Sequence, residues 1–208
     1  MVNERFTVVI QAGGESRRMG QDKALLSFLG EPLIARVLRR IQPIADEIIV
    51  IARQPERLAF LGVKVVSDLL PGVGALGGLH TALAVASHPL VGVAACDMPF
   101  ISPEILKVAC RRLQESGADA VIPLLEEGWE PLHAVYRRET CLPLVERAIQ
   151  RGERRLISWH SEARILPLAE DEIRLLDAHL RAFLNINTPE DLRLAEALAR
   201  EEEQSGAG

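Results

Sequence analysis

The chain reads as an α/β protein of three layers, a mostly parallel central sheet with helices on both faces. Short runs rich in β-branched residues, such as TVVIQ, EIIVIA and VGVAACD, alternate with longer segments of helical period. Those strand-like runs are apolar at nearly every position, as strands buried on two sides must be. With 208 residues, 48% of them hydrophobic and 25% charged, the chain is long enough to bury such a sheet without staples. No repeat or linker divides it, so we expect one domain over residues 1–200 and a frayed tail over 201–208.

The elements follow in order. TVVIQ (Thr7 to Gln11) is a strand, and EPLIARVLRRI places Leu33, Ile34, Val37, Leu38 and Ile41 on one helical face. EIIVIA (Glu47 to Ala52) and VKVVSD (Val63 to Asp68) are strands, followed by a glycine-rich loop and a helix over LHTALAVAS. VGVAACD (Val91 to Asp97) is a strand. Ser102 then caps a helix that runs to about Gln114, with Pro103 in its first turn. ADAVIP and PLHAVY are strands, a helix spans Glu139 to Gln150, and RILPL and AFLNI are short late strands. The last helix starts at Thr188-Pro189-Glu190-Asp191, with Thr188 as N-cap and Asp191 as its box partner, and runs to about Glu203.

Composition excludes several classes of function. A formal net charge of -5 argues against broad nucleic-acid or membrane-surface binding. No apolar run approaches the roughly 20 residues that span a bilayer, and the N-terminus lacks a signal-peptide pattern, so the expected compartment is the cytoplasm. Cys96, Cys110 and Cys141 are odd in number and far apart, which supports neither disulfides nor a zinc knuckle. The five histidines, His80, His88, His133, His160 and His179, include no i,i+4 ligand pair.

Two glycine-rich loops carry the chemistry. In AGGESRRMGQDKA, Gly13 and Gly14 directly follow the first strand, where glycine lets backbone N–H groups approach an anion. Arg17, Arg18 and Lys23 follow, and like charges so close favour a bound anion, although a simple turn with solvated arginines would carry the same residues. It is no Walker A loop, because Gly20 is succeeded by Gln21, Asp22 and Lys23. The second loop, PGVGALGG, holds a formal G-x-G-x-x-G at Gly72, Gly74 and Gly77, with Asp97 further on. That pattern raises an NAD-type oxidoreductase as a rival reading, weakened because Asp68 to Pro71 intervene between strand and glycines.

Acidic and basic residues complete the candidate set. Asp97 ends a buried strand and so belongs at the sheet's carboxyl edge, where one aspartate can serve magnesium, or where it can merely open a turn before Pro99. RGERRLISW is an arginine-rich segment that either lies solvated or offers Arg154 or Arg155 to an anionic ligand.

AGGESRRMGQDKALL, VVSDLLPGVGALGGL, CDMP, GERR and NINTPE, taken in this order, resemble the molybdenum cofactor guanylyltransferases. The first loop matches A-G-G-x-S-x-R-M-G-x-x-K, shared more widely among nucleotidyltransferases. The resemblance implies a Rossmann-like nucleotidyltransferase fold and Mg²⁺-dependent transfer of GMP from GTP to molybdopterin or its molybdenum-loaded form, with pyrophosphate released. It implies catalytic roles for Lys23, Asp97 and Arg17, nucleotide contacts at Ala12, Gly13, Gly14, Lys23, Asp68 and Asp97, and metal binding at Asp97. Arg154, Arg155, Asn185 and Asn187 are implied at the acceptor. Transient contact with proteins that deliver or receive the cofactor is a further implication, with no role for nucleic acid or membrane. Gln11 stands where the family usually has leucine, and Arg53 where it commonly has asparagine. A cytidylyltransferase using CTP and a nucleotide-binding regulator without catalysis are the alternatives; the A-G-G at Ala12 to Gly14 favours guanine, since the cytidylyl relatives tend to have A-A-G.

Overall fold

The computed structural model describes residues 5–12 and 22–205. Ten strands and six α-helices lie among them. The strands are β1 (Phe6–Ala12), β2 (Ser27–Phe28), β3 (Glu31–Pro32), β4 (Glu47–Ala52), β5 (Lys64–Val66), β6 (Leu90–Ala95), β7 (Ala120–Leu125), β8 (Gly128–Trp129), β9 (His133–Arg137) and β10 (Ile165–Ala169). The helices are α1 (Leu33–Ile41), α2 (Ala75–Val85), α3 (Pro103–Glu115), α4 (Arg138–Gln150), α5 (Glu170–Arg174) and α6 (Pro189–Ser205).

Eight strands form one sheet in the order β10-β7-β9-β6-β1-β4-β5, with β8 paired to β7, and β2 and β3 form a separate hairpin. β1 runs parallel to both β4 and β6, β4 to β5, and β7 to β10, while β9 is antiparallel to β6 and β7. The mostly parallel sheet is as the alternating pattern predicts. The reversal of β9 is not visible in that pattern, because a strand buried on both faces carries no mark of its direction.

Helices cover both faces. β1 shows how: Val8 and Ile10 pack with Ile34 and Val37 of α1 and Ile105 and Leu106 of α3, whereas Val9 packs with Leu76, Leu79 and Leu83 of α2. The period of two then puts Ala12 on the α1 side and Gln11 on the α2 side. The five predicted apolar positions of α1 are all buried. A third cluster, including Phe28, Leu33, Phe100, Ile186, Ala195 and Ala199, ties the β2–β3 hairpin to α6. Cys96 and Cys141 are buried, Cys110 is half-buried, and none of the three forms a disulfide.

Several boundaries differ from expectation. AFLNI is not a strand: Arg181–Phe183 form a 3-10 turn, and Ile186 instead donates its N–H to the Asp97 carbonyl at 2.9 Å. The four apolar residues of AFLNI are accommodated without a ladder partner, Ala182 and Phe183 in the main core and Leu184 and Ile186 in the cluster with α6. α2 begins at Ala75, ahead of the predicted start, because Gly74 at φ +83° turns the chain directly into the helix and Gly77 and Gly78 are accepted within it. α6 continues through Ser205, and Arg181 pairs with Glu202, so the helix extends into the segment expected to fray.

Candidate active site

The carboxyl edge of the sheet gathers the functional candidates. Parallel pairing aligns Ala12 with Ala52 and Gln11 with Ala95, so β1, β4 and β6 end together. Beyond β6, Asp97 is fixed through its backbone: its carbonyl accepts from Ile186, and the preceding Cys96 N–H donates to the Gln11 carbonyl at 3.0 Å. Burial and the neighbouring Asp97 carboxylate push the Cys96 thiol up, so it stays a protonated packing residue.

Lys23 arrives from a different part of the chain. Asp22 caps the 3-10 turn Lys23–Leu25 by accepting the Ala24 N–H at 3.1 Å, and the Ala24 methyl is fully buried in the core. That anchors the lysine stem. Its Nζ donates to Asp97 Oδ2 at 2.9 Å and to Asn187 Oδ1 at 2.7 Å. The lysine and aspartate side chains are 17% and 19% exposed, sheltered enough for the pair to be fixed while still reachable by ligand.

The third member, Asn187, is held by the start of α6. Asp191 accepts the backbone N–H groups of Asn187 at 2.9 Å and Thr188 at 2.8 Å, while Thr188 Oγ1 accepts the Asp191 N–H at 3.1 Å. This is the reciprocal cap that the NTPED spacing predicts. The Asn187 N–H above all, with the Thr188 donors and the nearby Lys23 charge, holds the Asp191 carboxyl below its ordinary value.

The remaining candidates are distributed differently. The Ala12 methyl is buried in the core, which leaves only its backbone for a ligand. Asp68 lies past β5, and its Oδ1 accepts both the Thr81 hydroxyl at 2.6 Å and the Leu70 N–H at 3.0 Å. Arg154 reaches the second glycine loop, where its guanidinium donates to the Gly72 carbonyl at 3.1 Å. Its own carbonyl accepts the Leu76 N–H in the first turn of α2. Arg155 is exposed, and Asn185 turns its amide back to the Phe183 carbonyl at 3.1 Å. Gly13, Gly14 and Arg17 lie outside the described residues. Arg53 is exposed just beyond β4.

This geometry weakens the dinucleotide fingerprint. The Leu76 N–H, which such a motif would turn toward a pyrophosphate, is taken by Arg154. The sequence also did not foretell that Asn187 meets Lys23 across the fold, though the capped NTPED start that carries Asn187 was legible.

Among the described residues no group of three or more His, Cys, Asp or Glu side chains is placed to hold a metal. Magnesium does not need one, since it is commonly bound through one or two carboxylates plus phosphate and water. Asp97 fits that donor set: Lys23 holds Oδ2, and Oδ1 has no partner among the described residues. No helix among the described residues is long and apolar enough to cross a membrane.

Comparison with known proteins identifies the family. The MobA-like NTP transferase domain family matches residues 8–164. A probable molybdenum cofactor guanylyltransferase of Pelotomaculum thermopropionicum is 38% identical, covering 93% of each chain. A molybdenum cofactor guanylyltransferase of Desulfosudis oleivorans is 36% identical, covering 93% of this chain and 96% of that one. The crystal structure of molybdopterin-guanine dinucleotide biosynthesis protein A from Archaeoglobus fulgidus superposes with a TM-score of 0.83 at 33% identity, over 94% of this chain and 99% of the other. The chain therefore belongs to the MobA-like NTP transferase family, the family of the molybdenum cofactor guanylyltransferases.

Proposed function

We propose that this protein transfers GMP from GTP to the terminal phosphate of molybdopterin, or of its molybdenum-loaded form, in the cytoplasm. The observation that carries this reading is the Lys23–Asp97–Asn187 cluster at the carboxyl edge of β1 and β6, in a chain 36–38% identical to guanylyltransferases.

An oxygen of the acceptor phosphate attacks the α-phosphorus of GTP, forming a new P–O bond as the bond to the β-phosphate oxygen breaks. Pyrophosphate leaves with the electron pair, so no covalent enzyme intermediate is needed. The residues therefore act by positioning and by offsetting charge. Lys23, steadied by Ala24 beneath it, pairs with triphosphate oxygens, and Arg17 adds a second positive charge. Asp97 holds Mg²⁺, which when bound offsets phosphate charge and polarises the phosphoryl oxygens. Ala12, Gly13, Gly14 and Asp68 contact the nucleotide; Arg154, Arg155, Asn185 and Asn187 face the acceptor. Arg154 gives one N–H to the Gly72 carbonyl and keeps four further donors, so both it and the exposed Arg155 can meet an acceptor phosphate. Proteins that deliver or receive the cofactor meet the enzyme transiently.

A transfer assay with labelled GTP, CTP and ATP, with molybdopterin and with or without Mg²⁺, tests the reading. Metal-dependent pyrophosphate release with GTP alone is expected. Release with CTP alone makes the protein a cytidylyltransferase, and tight GTP binding without turnover makes it a regulator.

A further inference from the structure

Gln11 is the penultimate residue of β1 and projects to the α2 side of the sheet, in line with Val9. Its side chain lies against α2 at Gly78: a Cβ placed on that glycine would stand 2.6 Å from Gln11 Oε1 and 3.1 Å from its Cδ. Glycine at 78 therefore makes the room in which the carboxamide rests. The Nε2 atom is buried and has no hydrogen-bond partner among the described residues. A buried N–H without an acceptor is unfavourable, and it becomes favourable when a ligand brings a carbonyl oxygen to it.

The place narrows what that ligand group is. Gln11 sits at the convergence of β1, β4 and β6, where its carbonyl accepts the Cys96 N–H beside Asp97, on the edge to which the proposed function assigns the nucleotide. Guanine presents a carbonyl acceptor at O6, whereas adenine and cytosine present amino donors at the corresponding position. A free N–H there favours guanine and opposes the other two, because a buried polar group left unpaired is the strongest source of discrimination.

We propose that Gln11 is a base-reading residue, its free N–H donating to O6 of guanine, with Gly78 providing the space that aims it. This rests on the guanylyltransferase reading. Leucine, usual in the family at this position, has no such donor.

Equilibrium binding of GTP, ITP, ATP and CTP to the full chain, without acceptor, tests it. Gln11→Leu should weaken GTP and ITP alike by about tenfold and leave ATP unchanged, since inosine keeps O6 and loses only the 2-amino group. Gln11→Glu, which exchanges a donor for acceptors, should shift preference toward ATP. Gly78→Ala should lower the GTP-to-ATP ratio with the amide still present; circular dichroism confirms that each variant is folded. Equal weakening of GTP and ATP in Gln11→Leu, or an unchanged ratio, overturns the proposal, as does a ratio that moves only in Arg53→Ala. Wild-type protein that prefers CTP fails the guanylyltransferase reading itself; wild-type protein that prefers GTP, with Gln11→Leu keeping that preference, fails only the role of Gln11.

Discussion

Asp68 and Asp97 each stand two residues past the end of a parallel strand, β5 and β6, facing the same edge of the sheet. Position alone would give them the same task. Their surroundings differ. The Asp68 oxygen is engaged by donors 2 and 13 residues away, Leu70 in its own turn and Thr81 on α2, the helix that turn leads into. The Asp97 oxygen is engaged by Lys23, 74 residues away, and its carbonyl by Ile186. A strand-end carboxylate held by its own loop mainly shapes that loop. One held by distant elements marks where those elements converge, and there a ligand can bridge them.

The sharpest test compares the two directly. Asp97→Asn should lower kcat by about 10²- to 10³-fold with little change in thermal midpoint, whereas Asp68→Asn should act mainly on the KM for GTP and on stability. A larger kcat loss for Asp68→Asn would reverse the comparison. Lys23→Met should come next, lowering kcat about 10²-fold in single-turnover measurements, because its charge is opposed to phosphate in the transition state.

Smaller effects probe the supports. Thr81 is fully buried, donates to Asp68 and accepts the Leu69 N–H at 3.0 Å. Thr81→Val should destabilise by about 2 kcal/mol in urea unfolding, leaving kcat within a few-fold, if the Asp68 side of the comparison is architectural. On the other side, Asp191→Asn weakens the cap that steadies Asn187, by about 1 kcal/mol at neutral pH. Because the Asp191 carboxyl is depressed in the folded protein, its contribution is complete above the ordinary aspartate range and is lost as pH falls through the folded value. Wild type and Asp191→Asn should therefore converge in stability as pH falls through that depressed value, as parallel denaturation series would show.

Much of this was legible in the sequence where the governing interaction is local. The Ser102 cap forms as its spacing predicts, accepting the Ile105 N–H at 3.3 Å, and so does the Thr188–Asp191 box. The apolar face of α1 and the strands on either side of it follow from period alone. What stayed hidden depends on partners far along the chain. The carboxylate of Asp97 was readable as a strand end, but not the arrival of Asn187 beside Lys23, 164 residues apart. AFLNI has the composition of a strand, yet its Ile186 N–H is claimed by a loop carbonyl instead of a ladder. Arg154 looked like an anion binder from charge alone, while its carbonyl caps α2, a backbone role that side-chain chemistry cannot announce. Gln11 was visible as an odd residue at its position, and only the space above Gly78 shows why an amide fits.

Asn187 follows every strand of the sheet in chain order, and Ile186 beside it pins Asp97 in place. Synthesis therefore produces the complete set of sheet strands before it produces the residues that finish the lysine–aspartate cluster. A growing chain can pair its strands and still lack the working arrangement, so competence arrives only once residues 186 and 187 have been made. The same order means that cutting the chain just before residue 185 should leave a paired sheet with its catalytic edge unassembled.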